Sequence, residues 1–383
     1  MEGSKPINRD SLSTFEGRSR YTVCVVGCGR MGLPHACLFA SAGFRVIGVD
    51  KDPRVIESLS KGESPFEEPG LDGLVSKHVR EGRLTVTKDC TEAASRSDII
   101  VLIVPTTVDR ELKPDYSHLK EACLEVGGGM RLGTLLIVAS TVGPGVTETM
   151  IRDTLEKASG LKAGRDFGLA FSPIRATAGR TLYDIEHYAR VVGGINHSSL
   201  ESACTFLETI VKAGTLPVSS IKVAEVVKLF QNVHRDVNLA LANEFALLCE
   251  KLGVDYLEAR EAAVTDPYCH LLVPGLVSGH IPKDPYLLIK EAEEHEADLR
   301  VVKVARSVNE SVVKHALQLL EEALEECDKK LVGAKVAVLG VSYKANVKEF
   351  KGSKAIEVIR MLMKRGTKLR VYDPYFTSKD LSD

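Results

Sequence analysis

The segment Gly27-Cys28-Gly29-Arg30-Met31-Gly32 follows an apolar, β-rich run, Tyr21 to Val26, and opens a helical stretch that reaches about Ala42. Strand, glycine turn and helix in that order make a phosphate cradle. The first glycine permits the tight turn, the second lets backbone approach a pyrophosphate, the third allows close helix–strand packing, and the helix N-terminus faces the phosphates. Alone the motif is a weak signal. Here a second β-rich run, Phe44 to Val49, ends in Asp50, at the spacing where a carboxylate meets the adenosine ribose 2′-hydroxyl of a dinucleotide. A carboxylate there would repel a 2′-phosphate, so the expected cofactor is NAD rather than NADP. Gly27, Gly29, Arg30, Met31, Gly32 and Asp50 form the expected cofactor-binding set. The competing reading is a glycine turn that holds no nucleotide.

Lys228 and Asn232 stand at i and i+4 in a helical pattern, so both project from one face, and Asp284 is expected to approach them from a loop. A cation and an amide so placed can hold a water or an oxyanion. An exposed polar pair on a solvated face has the same spacing and is the competing reading for these residues taken alone.

The elements that must position these groups alternate between strand and helix. Arg83 to Thr87, Asp98 to Pro105 and Thr134 to Ser140 are further β-rich runs separated by helical segments, which predicts a parallel, doubly wound sheet. The last two end in hydroxyl residues, Thr106-Thr107 and Ser140-Thr141, at strand C-termini where ligands bind in such sheets, so Thr106 and Thr141 join the cofactor-facing set. Phe167 to Phe171 and Arg190 to Gly194 extend the sheet before the character of the chain changes near Ser198. From Ile221 to about Leu252, Val223, Val226, Val227, Phe230, Val233, Val237 and Leu241 recur at helical steps, predicting a helix long enough to join two domains. A helical region from about Leu287 to Glu326 carries mixed charge and reads as a solvated or partner-facing surface. Lys335 to Gly340, a helix over Ser353 to Arg365, and Lys368 to Tyr372 ending in Asp373 repeat the strand–turn–helix–strand opening. That repeat has a single glycine in Gly340-Val341-Ser342-Tyr343, so no second dinucleotide is expected.

The expected fold class is therefore α/β. A polar N-terminal arm (1–20) precedes a Rossmann domain (21–197), a central helical region (198–330) and a C-terminal Rossmann-like domain (331–383) that is abbreviated or incomplete. The 383 residues are 44% hydrophobic, ample for packed cores in two or three domains. Lys and Arg total 50 against 52 for Asp and Glu, which points away from nucleic acid or an acidic membrane as partner. No apolar run approaches the ~20 residues of a membrane span, and residues 1–20 lack the apolar core of a signal peptide, so a cytoplasmic location is expected. Nine cysteines are scattered singly, without Cys-x-x-Cys pairs or His/Cys clusters at metal spacing, so neither zinc nor disulfides are expected.

From Tyr21 onward the chain resembles the nucleotide-sugar dehydrogenases, the UDP-glucose, UDP-N-acetylmannosamine and GDP-mannose 6-dehydrogenase family. The resemblance is carried by the glycine turn with Leu33-Pro34, Pro105-Thr106, Ser140-Thr141-Val142 with Pro144-Gly145, Ala224-Glu225 with Lys228 and Asn232, Pro282-Lys283-Asp284-Pro285, and Gly340-Val341-Ser342-Tyr343-Lys344. It implies an NAD domain, a central dimerising helix, and a C-terminal domain that helps to hold the nucleotide. It also implies a homodimeric enzyme that oxidises a sugar CH2OH twice, through an aldehyde, to a uronate. The resemblance assigns Lys228 and Asp284 to proton transfer and charge stabilisation, Asn232 to orienting substrate or water, and Thr141 to ordering a water. Arg175, Lys228, Asn232, Lys344 and Lys351 become candidate substrate-binding residues, Lys351 standing in place of an arginine that the family contributes across the dimer. Lysine offers a point charge where arginine offers a bidentate fork.

Two departures bear on the chemistry. The family's second oxidation needs a thiolate that attacks the aldehyde, forming a thiohemiacetal and then a thioester. Counting back four residues from Asp284 to the family's cysteine position reaches His280, and Val277-Ser278 replace two glycines. Cys269, fifteen residues before Asp284, reads as an inert thiol unless the loop folds differently. In Phe171-Ser172-Pro173-Ile174-Arg175, Ile174 occupies the place of a glutamate credited with thioester hydrolysis. The expected activity is therefore a two-electron hydride transfer on a nucleotide sugar, most simply a UDP-sugar, giving a keto or aldehydo product or an epimer. His280 or Lys228 would take the hydroxyl proton, with a space-filling role for His280 as the competing reading. The ordinary four-electron dehydrogenase and a non-catalytic NAD or nucleotide-sugar binder are the alternatives.

Overall fold

The computed structural model describes residues 7–279, 281–377 and 380. Two compact units divide the chain, Met1–Leu229 and Phe230–Asp383.

In the first unit the strands are β1 (Thr22–Val26), β2 (Arg45–Val49), β3 (Leu84–Thr87), β4 (Ile99–Leu102), the short hairpin β5 (Thr107–Val108) and β6 (Pro114–Asp115), β7 (Leu135–Val138), β8 (Gly168–Phe171), β9 (Arg190–Gly194) and β10 (Thr215–Pro217). Eight of them form one sheet in the order β10-β9-β8-β7-β4-β1-β2-β3. Helices cover both of its faces, which is why the central strands are continuous apolar runs: Val23 and Val25 enter one core layer, Cys24 and Val26 the other. The expected doubly wound sheet is present with one local difference. β9 runs antiparallel to β8, pairing Phe171 with Gly193 and Ala170 with Gly194, whereas β10 is parallel to β9. β10 and the helix His197–Leu207 also carry the sheet layer past residue 197, where composition suggested its end.

The N-terminal arm is part of this unit. Asn8 caps the turn Arg9–Leu12 and Thr14 caps Phe15–Arg18, Leu12 is buried in the core, and Arg18 donates to the Ala42 carbonyl at 2.6 Å. Over residues 7–20 its polar composition supplies helix caps.

The helix Ile221–Leu252 begins in the first unit and continues into the second, as its periodicity predicts. The second unit adds the helices Tyr256–Ala263, Asp284–Glu294 and Arg300–Glu325, then β11 (Lys335–Leu339), the helix Lys354–Lys364 and β12 (Lys368–Tyr372), which pairs parallel with β11. The helical region expected from about Leu287 to Glu326 consists of two helices, separated where Glu296 takes φ 56°. Asp284 opens the first of them rather than lying in a loop. Among the described residues no helix is long and apolar enough to cross a membrane.

One fastening occurs in both units. After β1, Gly27 (φ +96°) donates to Val49 O at 2.8 Å, and the Asp50 carboxylate accepts from Cys28 N and Asp52 N at 2.9 Å each. After β11, Gly340 (φ +93°) donates to Tyr372 O at 2.8 Å, and Asp373 accepts from Val341 N at 2.8 Å and Tyr375 N at 2.9 Å.

Candidate functional site

The three glycines of the N-terminal turn have separable jobs. A Cβ on Gly27 would stand 2.4 Å from the Ile103 carbonyl oxygen, and one on Gly32 would stand 1.7 Å from the Gly27 oxygen, so neither position admits a side chain. A Cβ on Gly29 would meet nothing within 4 Å. The turn is therefore tight at its two ends and open in its middle, where an incoming group can reach backbone. Met31, the N-cap of the helix Gly32–Ala42, makes no side-chain cap bond, so the first amides of that helix have no side-chain competitor for an anion. These residues fit a dinucleotide: amides for the pyrophosphate, space above Gly29, and Asp50 fixed at the end of β2 for the ribose. Arg30 lies beside the turn with its guanidinium carbon 5.3 Å from the centroid of the Phe66 ring.

β1 sits where the strand order reverses, with β2 on one side and β4 on the other, and β7 follows β4. The loops after β4 and β7 are consequently neighbours at the C-terminal edge, the ligand edge of such sheets. Thr106 Oγ1 donates to Thr141 O at 2.6 Å, and Ser140 Oγ accepts from Val104 N at 2.9 Å, so the two loops hold each other.

Glu225, Lys228 and Arg175 make contacts that spacing along the chain does not reveal. Glu225, fully buried on the helix Ile221–Leu252, accepts from Gly145 N at 2.5 Å and Thr147 N at 2.9 Å, pinning the loop that follows Thr141. Burial pushes its carboxyl up to about 7 in spite of those amides. Lys228, one turn further, donates to Ile174 O at 2.9 Å, so the lysine grips that segment by its backbone. Arg175 is turned to the Ala189 carbonyl at 3.0 Å.

In the second unit Asn232 Nδ2 donates to Asp284 Oδ2, and Lys283 Nζ donates to Asp284 Oδ1 at 2.5 Å. Asp284 is buried, so both oxygens of a desolvated carboxylate are held by one amide and one ammonium. Lys283 belongs to the run Pro282-Lys283-Asp284-Pro285, whose spacing alone does not reveal the pairing with Asp284. Lys344 and the exposed Lys351 lie in the loop between β11 and the helix Lys354–Lys364. That loop packs on residues 278–279: Gly279 N donates to Gly352 O and Lys354 N to Ser278 Oγ, both at 3.0 Å. His280 itself lies outside the described residues.

The candidates thus fall into two groups. The glycine turn, Asp50, Thr106, Thr141, Arg175 and Lys228 belong to the first unit; Asn232, Asp284, Lys344 and Lys351 belong to the second. Lys228 and Asn232 share one continuous helix, four residues apart.

Comparison with known proteins places all three parts. Models of the UDP-glucose/GDP-mannose dehydrogenase family match the chain with its NAD binding domain over residues 21–213, its central domain over 222–311 and its UDP binding domain over 337–383. The chain is 38% identical over 355 residues to a UDP-N-acetyl-D-mannosamine dehydrogenase of Pyrococcus horikoshii, covering 92% of this chain and 83% of that protein. It is 33% identical to the enzyme of the same name from Methanocaldococcus jannaschii, covering 92% and 79%. The solved structure of the Pyrococcus horikoshii UDP-D-ManNAc dehydrogenase superposes with a TM-score of 0.88 at 36% identity, covering 92% of this chain and 84% of that one.

Proposed function

The chain belongs to the UDP-glucose/GDP-mannose dehydrogenase family as an NAD-dependent enzyme, and on that premise we propose that it transfers a single hydride from a UDP-sugar, UDP-N-acetylmannosamine first among them. The names of its relatives support the substrate class. The two-electron limit rests on the sequence resemblance, which sets His280 and Ile174 against the family's thiol of the second oxidation and its carboxylate of thioester hydrolysis.

NAD, when bound, accepts the hydride. The protein's share is to hold the reacting carbon and dispose of the hydroxyl proton. Asp284, with its oxygens held by Asn232 and Lys283, is suited to fix a water or hydroxyl next to a developing alkoxide. Lys228 supplies positive charge on the same helix face as Asn232, and Thr141 orders a water. The hydroxyl proton passes to His280 or Lys228, and the carbon–hydrogen electron pair leaves as hydride, so a CH–OH becomes a carbonyl. Lys344 and Lys351, on a C-terminal loop, are our candidates for the nucleotide phosphates, and Arg175 and Asn232 are candidates for substrate binding. We place the homodimer contact on the helix Ile221–Leu252, where Phe230, Leu241, Phe245, Leu248 and Leu252 are exposed.

The test is the yield of NADH per sugar across UDP- and GDP-sugars, with the mass of the product. One NADH with a carbonyl product, or none with an isomerised sugar, is expected. Two NADH with the mass of a uronate would overturn the two-electron reading and return the chain to the four-electron reaction. Cofactor binding without turnover on any sugar would overturn catalysis itself.

A further inference from the structure

Arg190 on β9 is fully buried, yet among the described residues its hydrogen-bond partners are all neutral. Nε donates to Ser172 Oγ at 3.1 Å, Nη2 to the Ser172 carbonyl at 2.9 Å, and Nη1 meets His35 Nε2 at 2.9 Å. A guanidinium only donates, so His35 Nε2 must accept, and the imidazole proton resides on Nδ1. That Nδ1 lies 2.6 Å from the Met31 carbonyl and donates to it. The charge pressing on Arg190 from nearby is a like charge, Arg175, which together with burial lowers its pKa to about 10. Burial and the adjacent guanidinium likewise hold His35 neutral, lowered to about 3.

A buried cation paired only with dipoles is costly, and such groups are kept where they do something or meet a counter-charge. The contacts define a path with two ends. One is the Met31 carbonyl at the cofactor turn; its peptide directs the Gly32 N–H outward from the helix N-terminus. The other is the Ser172 carbonyl, two residues before Ile174, whose own carbonyl receives Lys228 Nζ at 2.9 Å. Arg190 stands between them.

We propose that Arg190 is a positioning residue that couples the NAD turn to the segment held by Lys228, through His35 toward Met31 and through Ser172 toward Ile174. Its unneutralised charge lies one imidazole behind the turn, in a low-dielectric interior, where it favours an anion arriving at the amides. A shift of the turn on cofactor binding pulls on the same guanidinium that fixes Ser172. The role rests on the NAD and Lys228 assignments above.

The test titrates the full chain with NADH by fluorescence, with and without saturating UDP-N-acetylmannosamine; both ligands are reduced, so nothing turns over. For wild type, the sugar nucleotide shifts the NADH Kd at least threefold. Arg190→Met weakens NADH tenfold or more and abolishes the shift. His35→Phe, which leaves Arg190 on Ser172, also abolishes the shift and keeps the test open if Arg190→Met does not fold. His35→Gln, whose amide can accept from Arg190 and donate to Met31, restores the shift. Variants within twofold of wild type in Kd with the shift intact overturn the proposal, as does a melting temperature that falls while the shift persists. A wild type that binds NADH without any shift overturns the coupling alone. One that binds neither ligand overturns the functional reading, and the coupling with it.

Discussion

At the scale of residues, the glycine turn separates folding from cofactor binding. Gly29 has ordinary backbone and open space where a Cβ would stand, so Gly29→Ala is expected to melt like wild type while its NADH affinity falls tenfold or more, read by paired thermal melts and fluorescence titrations. Gly32→Ala forces a Cβ to within 1.7 Å of the Gly27 oxygen and is expected to lose on the order of 3 kcal/mol or more in denaturant unfolding. Asp284→Asn keeps the shape and removes the charge that Asn232 and Lys283 hold. Its kcat is expected to fall on the order of a hundredfold with NAD affinity unchanged, and steady-state kinetics beside cofactor titration checks both. The glycine turn and Asp50 were legible because their chemistry is local: spacing along one chain segment sets what each must do. The Asn232–Asp284 and Lys228–Ile174 contacts span 52 and 54 residues, and only the fold makes them.

Elements carry the next level. The helix Ile221–Leu252 docks Glu225 into the backbone amides of the loop after β7, and this docking is sensitive to pH. Burial raises the carboxyl from 4.5 to about 7, so between those values the folded chain keeps a proton that the unfolded chain has released. The contribution is whole below pH 4.5 and shrinks as pH rises toward 7, by about 1.4 kcal/mol per pH unit. Glu225→Gln cannot titrate; its stability, measured by denaturant unfolding over that range, is expected to fall less steeply with pH than that of wild type. The helix was readable from its period over about its whole length, since one apolar stripe suffices to define it. The reversal of β9 was not, because Arg190–Gly194 has the same composition whichever way it runs. The break near Glu296 was hidden by mixed charge on both sides, which suits one long solvated helix as well as two.

For the whole molecule, the exposed apolar residues of that helix argue for a second copy. Leu241→Glu with Leu248→Glu places two charges in the stripe, and sedimentation velocity is expected to show a dimer for wild type and a monomer for the double variant. The repeated fastening has a use of its own. Asp50 and Asp373 close equivalent turns with nearly equal amide distances, yet the turn at Asp373 lacks the last two glycines of a phosphate cradle. Asp50→Asn and Asp373→Asn therefore disturb matched backbone anchors, one of them in the turn expected to hold the dinucleotide. The molecule contains its own control: the stability lost at Asp373 measures what such a backbone anchor is worth, against which the stability lost at Asp50 can be read.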